Sequence, residues 1–82
     1  MAEKPRDFRF LSSLRDVEVI ARGRGVRIAR RLRHRYGGRT WRKMKGVALV
    51  EAEHGYVGEA EIHWYEAHGI VPVLWKIKCP LE

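Results

Sequence analysis

The sequence predicts an α+β fold, in which a three- to four-stranded, mainly antiparallel sheet carries one basic amphipathic helix on one face. Residues 25–36 have apolar side chains at helical spacing, and several later segments alternate polar with apolar residues. Glycine-containing turns separate these segments. With 82 residues the chain has room for one domain, which we assign to residues 13–82, after a flexible N-terminal arm at residues 1–12.

The helix is predicted from the clearest 3.6-residue period in the chain. At 100° per residue, one side of the segment carries Ile28, Ala29, Leu32 and Tyr36. Most of the arginines fall on the opposite side. The pair Gly37-Gly38 follows directly, and glycine adopts the left-handed conformation that closes a helix without steric cost. We therefore expect the apolar side to pack on a sheet and the arginines to face solvent.

The strands are predicted from alternation with a period of two. They cover residues 16–21, 42–52, 59–66 and 70–78, with turns at His54-Gly55 and His68-Gly69. In the third segment, one face carries Ala60, Ile62 and Trp64. The other face carries Glu59, Glu61, His63 and Tyr65. We expect the helix to cover the apolar face and to leave the polar face open.

Basic residues are concentrated in the first half of the chain. Between Arg15 and Lys45 there are twelve Lys or Arg and two acidic residues, and the formal charge is +11 for residues 1–46 against −4 for residues 47–82. Such a block repels itself, so a polyanionic partner, above all nucleic acid, is the best explanation. The alternative is the solvated helix face of an unusually basic protein.

The predicted interface combines the helix arginines with the basic residues on either side of the helix. Arginine matches phosphate geometry and stacks on bases, and interleaved aromatic residues favour RNA over DNA. We interpret Trp41 as a stacking platform for bases. The predicted nucleic-acid-binding residues are Arg22, Arg24, Arg27, Arg30, Arg31, Arg35, Arg39, Trp41, Arg42, Lys43 and Lys45.

The polar face of residues 59–66 suggests a second chemistry. A His beside a carboxylate and a basic groove is the smallest set that cleaves RNA without metal: one group takes the 2′-hydroxyl proton, another protonates the leaving oxygen, and a cation stabilises the phosphorus-centred charge. The predicted residues are His63 as base or acid, Glu61 as its partner, Tyr65 as a positioning hydroxyl and Lys76, or an arginine, as the phosphate clamp. The alternative is that these residues form the ordinary solvent-exposed face of a sheet.

The order of basic helix, glycine break and sheet bearing His, Glu, Tyr and Lys resembles the compact ribonuclease toxins of the RelE and colicin type, over roughly residues 14–78. The resemblance implies a helix on a four-stranded antiparallel sheet and metal-independent RNA cleavage. Such toxins usually have a longer N-terminal helical hairpin, which is absent from this sequence.

Composition also limits the classes of protein to which the chain can belong. Cys79 is the single cysteine, which excludes an internal disulfide and fits a reducing cytoplasm. No apolar run is long enough to span a bilayer, and no His or Cys spacing matches a metal site. We therefore expect no membrane-spanning segment, no bound metal and no other cofactor.

We expect a cytoplasmic RNA-binding domain, with a ribonuclease as the alternative. A basic subunit that docks on an acidic protein, such as an antitoxin, is the third reading, and a homodimer would help so small a chain to fold.

Overall fold

The protein forms a curled antiparallel sheet, seen in a computed structural model that describes residues 7–81. The strands are β1 (Phe8–Phe10), β2 (Arg15–Arg22), β3 (Trp41–Ala52), β4 (Val57–Ala67) and β5 (Ile70–Pro80). A 3₁₀ turn at Gly23–Gly25 and the helix α1 (Ala29–Tyr36) connect β2 to β3. Within the described residues, no helix has the length and apolar character needed to cross a membrane.

Strand β3 organises the sheet. Its ladder with β4 runs without a break from Trp41 opposite Ala67 to Glu51 opposite Val57. Its other edge is shared, because β2 pairs with the first half of β3 and β1 pairs with the end of β3. The β2–β3 and β4–β5 ladders both contain register shifts. Since bulges bend a strand and increase its twist, the sheet curls into a half-barrel.

The predicted α+β class is therefore wrong, and the fold is mainly β, with 60% strand against 15% helix. Part of the difference is Phe8–Phe10, which the sequence assigned to the arm at residues 1–12 but which pairs with β3. Three residues are too few for a period to be visible. The helix is also shorter than predicted, because the 3₁₀ turn and its connection occupy residues 23–28. Residues 1–6 of the predicted arm lie outside the described residues.

One face of the sheet, which we call the aromatic face, holds the larger apolar cluster. Its buried members are Phe8, Met44, Ala48, Val50, Ala52, Ala60, Ile62 and Trp64. Trp64 stacks on Trp75 with ring centroids 4.7 Å apart, and Phe10 meets Trp75 edge-on at 5.5 Å. These rings, together with the curl of the sheet, occupy the surface that the sequence assigned to the helix.

Helix α1 packs on the opposite face, which we call the helix face, at the end where β3 begins. The buried cluster there consists of Val26, Ala29, Leu32, Trp41, Ala67 and Val73. The predicted rotation of the helix is confirmed, because Leu32 and Ala29 are buried and the arginines are exposed. The predicted docking face is wrong. Trp41 fixes the helix there, since its indole N–H donates to the Gly37 carbonyl oxygen at 2.9 Å.

We expect Trp41→Ala to lower the free energy of unfolding by about 3–5 kcal/mol, the usual cost of removing a buried aromatic side chain. The side chain is fully buried and lies between α1 and the sheet. Urea denaturation followed by circular dichroism measures the change. Arg39→Ala is the control, because Arg39 is exposed nearby and such changes usually cost little. Equal losses in the two variants would contradict this packing.

Candidate nucleic-acid interface

The helix face brings the two predicted sets of functional residues to one side of the sheet. Because β3 and β4 pair without a shift, alternate residues of both strands project to this face. They include Lys43, Lys45, Glu61, His63 and Tyr65. Strand β5 adds Lys76, which stands opposite His63. The buried helix cluster is centred on Trp41 and Ala67, so the middle of the face stays partly exposed.

The arginines of the helix segment are exposed on this side of the molecule, because Ala29 and Leu32 take the buried positions. They are Arg27, Arg30, Arg31, Arg33 and Arg35. Within residues 7–81, none of them forms an ion pair with a carboxylate. Arg9, Arg15 and Arg42, by contrast, each contact a glutamate. The helix charges are therefore available to an external anion.

Several predicted interface residues lie elsewhere. Trp41 is wrong as a stacking platform, because its ring is fully buried in the helix cluster and offers no face to a base. Arg22 and Arg42 stand opposite each other at the β2–β3 edge, in register positions that belong to the aromatic face. Arg42 also forms an ion pair with Glu66 at 3.2 Å. Both residues are thus separated from the helix arginines by the sheet.

The loops on either side of α1 carry two further predicted residues, and both are exposed. Arg24 lies in the 3₁₀ turn before the helix. Arg39 lies in the short connection to β3. Neither makes an ion pair with a carboxylate of the described residues. They extend the positive charge beyond both ends of the helix.

At the centre of the helix face, His63 contacts Glu61. The Nε2 atom of His63 lies 2.7 Å from Oε2 of Glu61. Because a carboxylate only accepts, the imidazole Nε2–H donates, and Nδ1 is then the nitrogen available to accept a proton. The His63 side chain is 12% exposed, so its orientation is well defined by its surroundings. Lys45 and Lys76 flank it on the two neighbouring strands.

The surroundings of Glu61 favour its ionised form. The hydrogen bond from His63 lowers the pKa of the Glu61 carboxyl, and the positive charges of Lys45 and Lys78 lower it further, against the opposing effect of burial. Glu59 has a similar arrangement, because its contact with the Arg15 guanidinium lowers the pKa of that carboxyl. Both carboxylates thus have a side-chain hydrogen-bond partner on this face, His63 for Glu61 and Arg15 for Glu59.

These shifts predict a loss of stability in acid. A depressed folded-state pKa contributes stability that is present above the unfolded value and is lost as the pH falls through the folded one. We expect the melting temperature of Glu61→Gln to decline less steeply than that of the wild type as the pH falls below the ordinary carboxyl value of 4.5. Glu53→Gln is the control, because Glu53 is exposed. Parallel wild-type and Glu61→Gln curves would contradict the role of Glu61.

A small cavity of about 80 Å³ opens beside His63. It is lined by Lys43, His63, Tyr65, Leu74, Lys76 and Lys78. Tyr65 also packs against the helix cluster, and the Lys43 ammonium lies 5.9 Å from the centre of its ring. The cavity therefore begins where the helix layer ends. Three of the four predicted catalytic residues line it, and the fourth, Glu61, contacts His63.

Lys78 belongs to this cavity but was not among the predicted site residues. A signal was present, because Lys76 and Lys78 are two residues apart, and such residues share a face in a regular strand. The alternation predicted for β5 is only partly correct, however. Val73 lies in the helix cluster, whereas Trp75 and Ile77 pack on the aromatic face. A register shift near Leu74 changes the phase between them.

No protein-family model matches this chain, and no curated protein and no solved structure is significantly similar to it. Within residues 7–81, no group of three or more His, Cys, Asp or Glu side chains is placed to hold a metal ion. The helix face carries lysine and arginine side chains, the imidazole of His63 and the carboxylates of Glu59 and Glu61.

Proposed function

We propose that this chain is a small RNA-binding domain that holds the RNA backbone against the helix face. The observation that carries the proposal is the position of α1, which packs on the same face as the half-buried lysines of β3 and the exposed lysines of β5. Arginines and lysines from distant parts of the chain thereby form one surface. This basic surface consists of Arg27, Arg30, Arg31, Arg33, Arg35, Lys43, Lys45, Lys76 and Lys78.

The composition of the basic surface favours recognition of the backbone. Arginine forks bind phosphate oxygens in pairs, and lysines add point charges, so both contribute affinity without reading sequence. Since Trp41 is buried, unpaired bases would stack on the guanidinium planes of the helix arginines and on the half-buried Tyr65. Stacking of this kind favours single-stranded RNA. We place this binding in the cytoplasm, where the exposed thiol of Cys79 stays reduced.

Salt dependence tests this proposal directly. If the basic surface neutralises about five phosphates of a single strand, log Kd should change with log salt with a slope of about 3.5, because each contact contributes about 0.7. Between 50 and 200 mM salt this slope weakens binding by about two orders of magnitude. Fluorescence anisotropy with a labelled RNA oligonucleotide provides the measurement. Affinity that does not respond to salt would refute the proposal.

Two competitors in the same assay separate the other binding readings. A DNA strand of identical sequence should bind more weakly than RNA, because it lacks the 2′-hydroxyl groups. Polyglutamate presents negative charge without phosphates or bases, so it should compete poorly, because arginine forks match phosphate geometry. Polyglutamate that competes as well as RNA would favour docking on an acidic protein.

A second candidate function is metal-independent RNA cleavage, and the contact between His63 and Glu61 beside a lysine-lined cavity favours it. In this reaction His63 Nδ1 takes the proton of a 2′-hydroxyl, and the 2′-oxygen attacks phosphorus. The bond to the 5′-oxygen breaks, that oxygen takes a proton from water, and a 2′,3′-cyclic phosphate results. Lys76 stabilises the charge on the phosphate oxygens.

Incubation of total RNA with the protein tests this candidate. Fragments with cyclic phosphate ends should form both with and without EDTA, and RNA that stays intact would eliminate the candidate.

A further inference from the structure

The cavity beside His63 owes its shape to irregularities in β5. The β4–β5 ladder shifts register at three places, and Leu74 at the second of them has a φ of +59°, a conformation that residues other than glycine seldom adopt. Bulges re-aim side chains. Lys76 stands opposite His63, and Lys78 is the extra residue of another shift, so both lysines reach the same cavity. The cavity thus results from the register shifts and the irregular backbone of β5.

The charge inside this cavity is unbalanced. Lys43, Lys76 and Lys78 all line a space of about 80 Å³. None of them forms an ion pair with a carboxylate in the part of the chain that the structure describes. Glu61, which lies close by, already accepts the hydrogen bond of His63. Three lysines that line one small cavity would each attract an anion placed inside it.

We propose that this cavity binds a single phosphate group and selects a terminal phosphomonoester of RNA over an internal phosphodiester. This inference rests on the proposed RNA-binding function and names the strand end as the part that is recognised. A phosphomonoester carries nearly two negative charges at neutral pH and has three acceptor oxygens. An internal diester carries a single charge. Three lysines therefore favour the monoester, and the volume suits one phosphate rather than a nucleoside.

The position of the cavity also fits the end of a strand. Tyr65 lines the cavity and packs against the helix cluster, so the cavity lies beside the helix that carries the exposed arginines. A strand whose terminal phosphate occupies the cavity needs one exit, and the helix side offers it with positive charge along the way. The cavity then sets the register of the strand, and the arginines supply the sequence-independent affinity.

A small-molecule titration tests the cavity without RNA. The full chain is labelled for NMR and titrated with ribose 5-phosphate, a phosphomonoester, and separately with dimethyl phosphate, a diester. The ring signals of His63 and Tyr65 should shift and saturate with ribose 5-phosphate at concentrations about tenfold lower than with dimethyl phosphate, because the dianion gains more from the three lysines. Ring signals that respond to neither compound, or to both equally, would overturn the inference.

A second experiment compares strand ends. Three 2′-O-methyl RNA oligonucleotides of one sequence, which resist cleavage by 2′-oxygen attack, carry a 5′-phosphate, a 3′-phosphate or hydroxyl ends only. Wild-type protein should bind one of the phosphate-ended strands about tenfold more tightly than the hydroxyl-ended strand, equivalent to about 1.4 kcal/mol. The preferred strand identifies which end enters the cavity. Equal affinities for all three would overturn the inference.

Two double variants test whether the preference for a phosphate-ended strand depends on the cavity. Lys76→Gln/Lys78→Gln should abolish the preference for a phosphate end, and it should weaken binding of the hydroxyl-ended strand no more than the removal of two helix charges does. Arg30→Gln/Arg31→Gln removes the same charge from the helix and should weaken all three strands alike, keeping the preference. A preference that survives in Lys76→Gln/Lys78→Gln would overturn the inference. Wild-type protein that binds none of the strands at low salt would refute the proposed function, and the ribose 5-phosphate titration would still decide whether the cavity holds phosphate.

Discussion

Arg27→Glu/Arg31→Glu is expected to weaken RNA binding by about three orders of magnitude. Each reversal changes the local charge by two units, and a unit charge near a phosphate is worth about 1 kcal/mol even in a fully aqueous setting. Four units therefore amount to about 4 kcal/mol. Both side chains are exposed, so the fold should be unaffected. Fluorescence anisotropy gives the affinity, and circular dichroism checks the fold.

Two single charge reversals distinguish the effect of the basic surface from the effect of the protein's net charge. Arg31→Glu and Arg22→Glu alter the net charge equally, but Arg31 lies on α1 and Arg22 lies at a register position of the aromatic face. We expect Arg31→Glu to cost about 2 kcal/mol of binding free energy and Arg22→Glu to cost clearly less. Equal effects would mean that RNA senses only the overall charge of the protein and that no defined surface exists.

If the protein cleaves RNA, His63→Ala should slow cleavage by about 10² to 10⁴-fold, the usual contribution of a positioned acid or base. The affinity for RNA should persist, because the helix arginines and the lysines are unchanged. The measurement consists of an analysis of the fragment ends together with single-turnover rates between about pH 5 and 9.

His54→Ala is the control for that experiment, because His54 lies exposed in the turn between β3 and β4. Its removal should leave the rate unchanged. Equal slowing in the two variants would show that cleavage does not depend on His63. Wild-type protein that shifts RNA but never cuts it leaves His63 and Glu61 as a structural pair on the helix face.

The local pattern of the sequence predicted the rotation of the helix and the two faces of β4 correctly. Leu32 is buried as the 3.6-residue period requires, and His63 contacts Glu61 because residues two apart share a strand face. The face on which the helix docks was not predictable. Both faces of the central strands carry apolar residues, and the choice depends on the distant aromatic residues Phe10 and Trp75, which fill one of them.

The remaining errors also come from tertiary structure. Trp41 lies among basic neighbours in the sequence, and its burial depends on α1 and on Ala67 across the β3–β4 ladder. The bulges of β5 leave no sequence period, so the phase change near Leu74 was invisible. The joint surface of helix arginines and sheet lysines follows from the docking face of the helix, and it could not be anticipated from the charge count alone.

The unequal regularity of the ladders has a consequence for local opening of the sheet. The β3–β4 ladder is unbroken, and both of its strands have neighbours on either side, so its amides should exchange hydrogen with solvent most slowly. Strand β5 lies at an edge and is joined to β4 through three register shifts, so it should open more readily than the β3–β4 ladder. Lys76 and Lys78 belong to that strand. The strand that supplies two of the three cavity lysines is therefore held less firmly than the strands beneath the cavity. An anion that ties it to Lys43 would slow exchange in β5 far more than in β3.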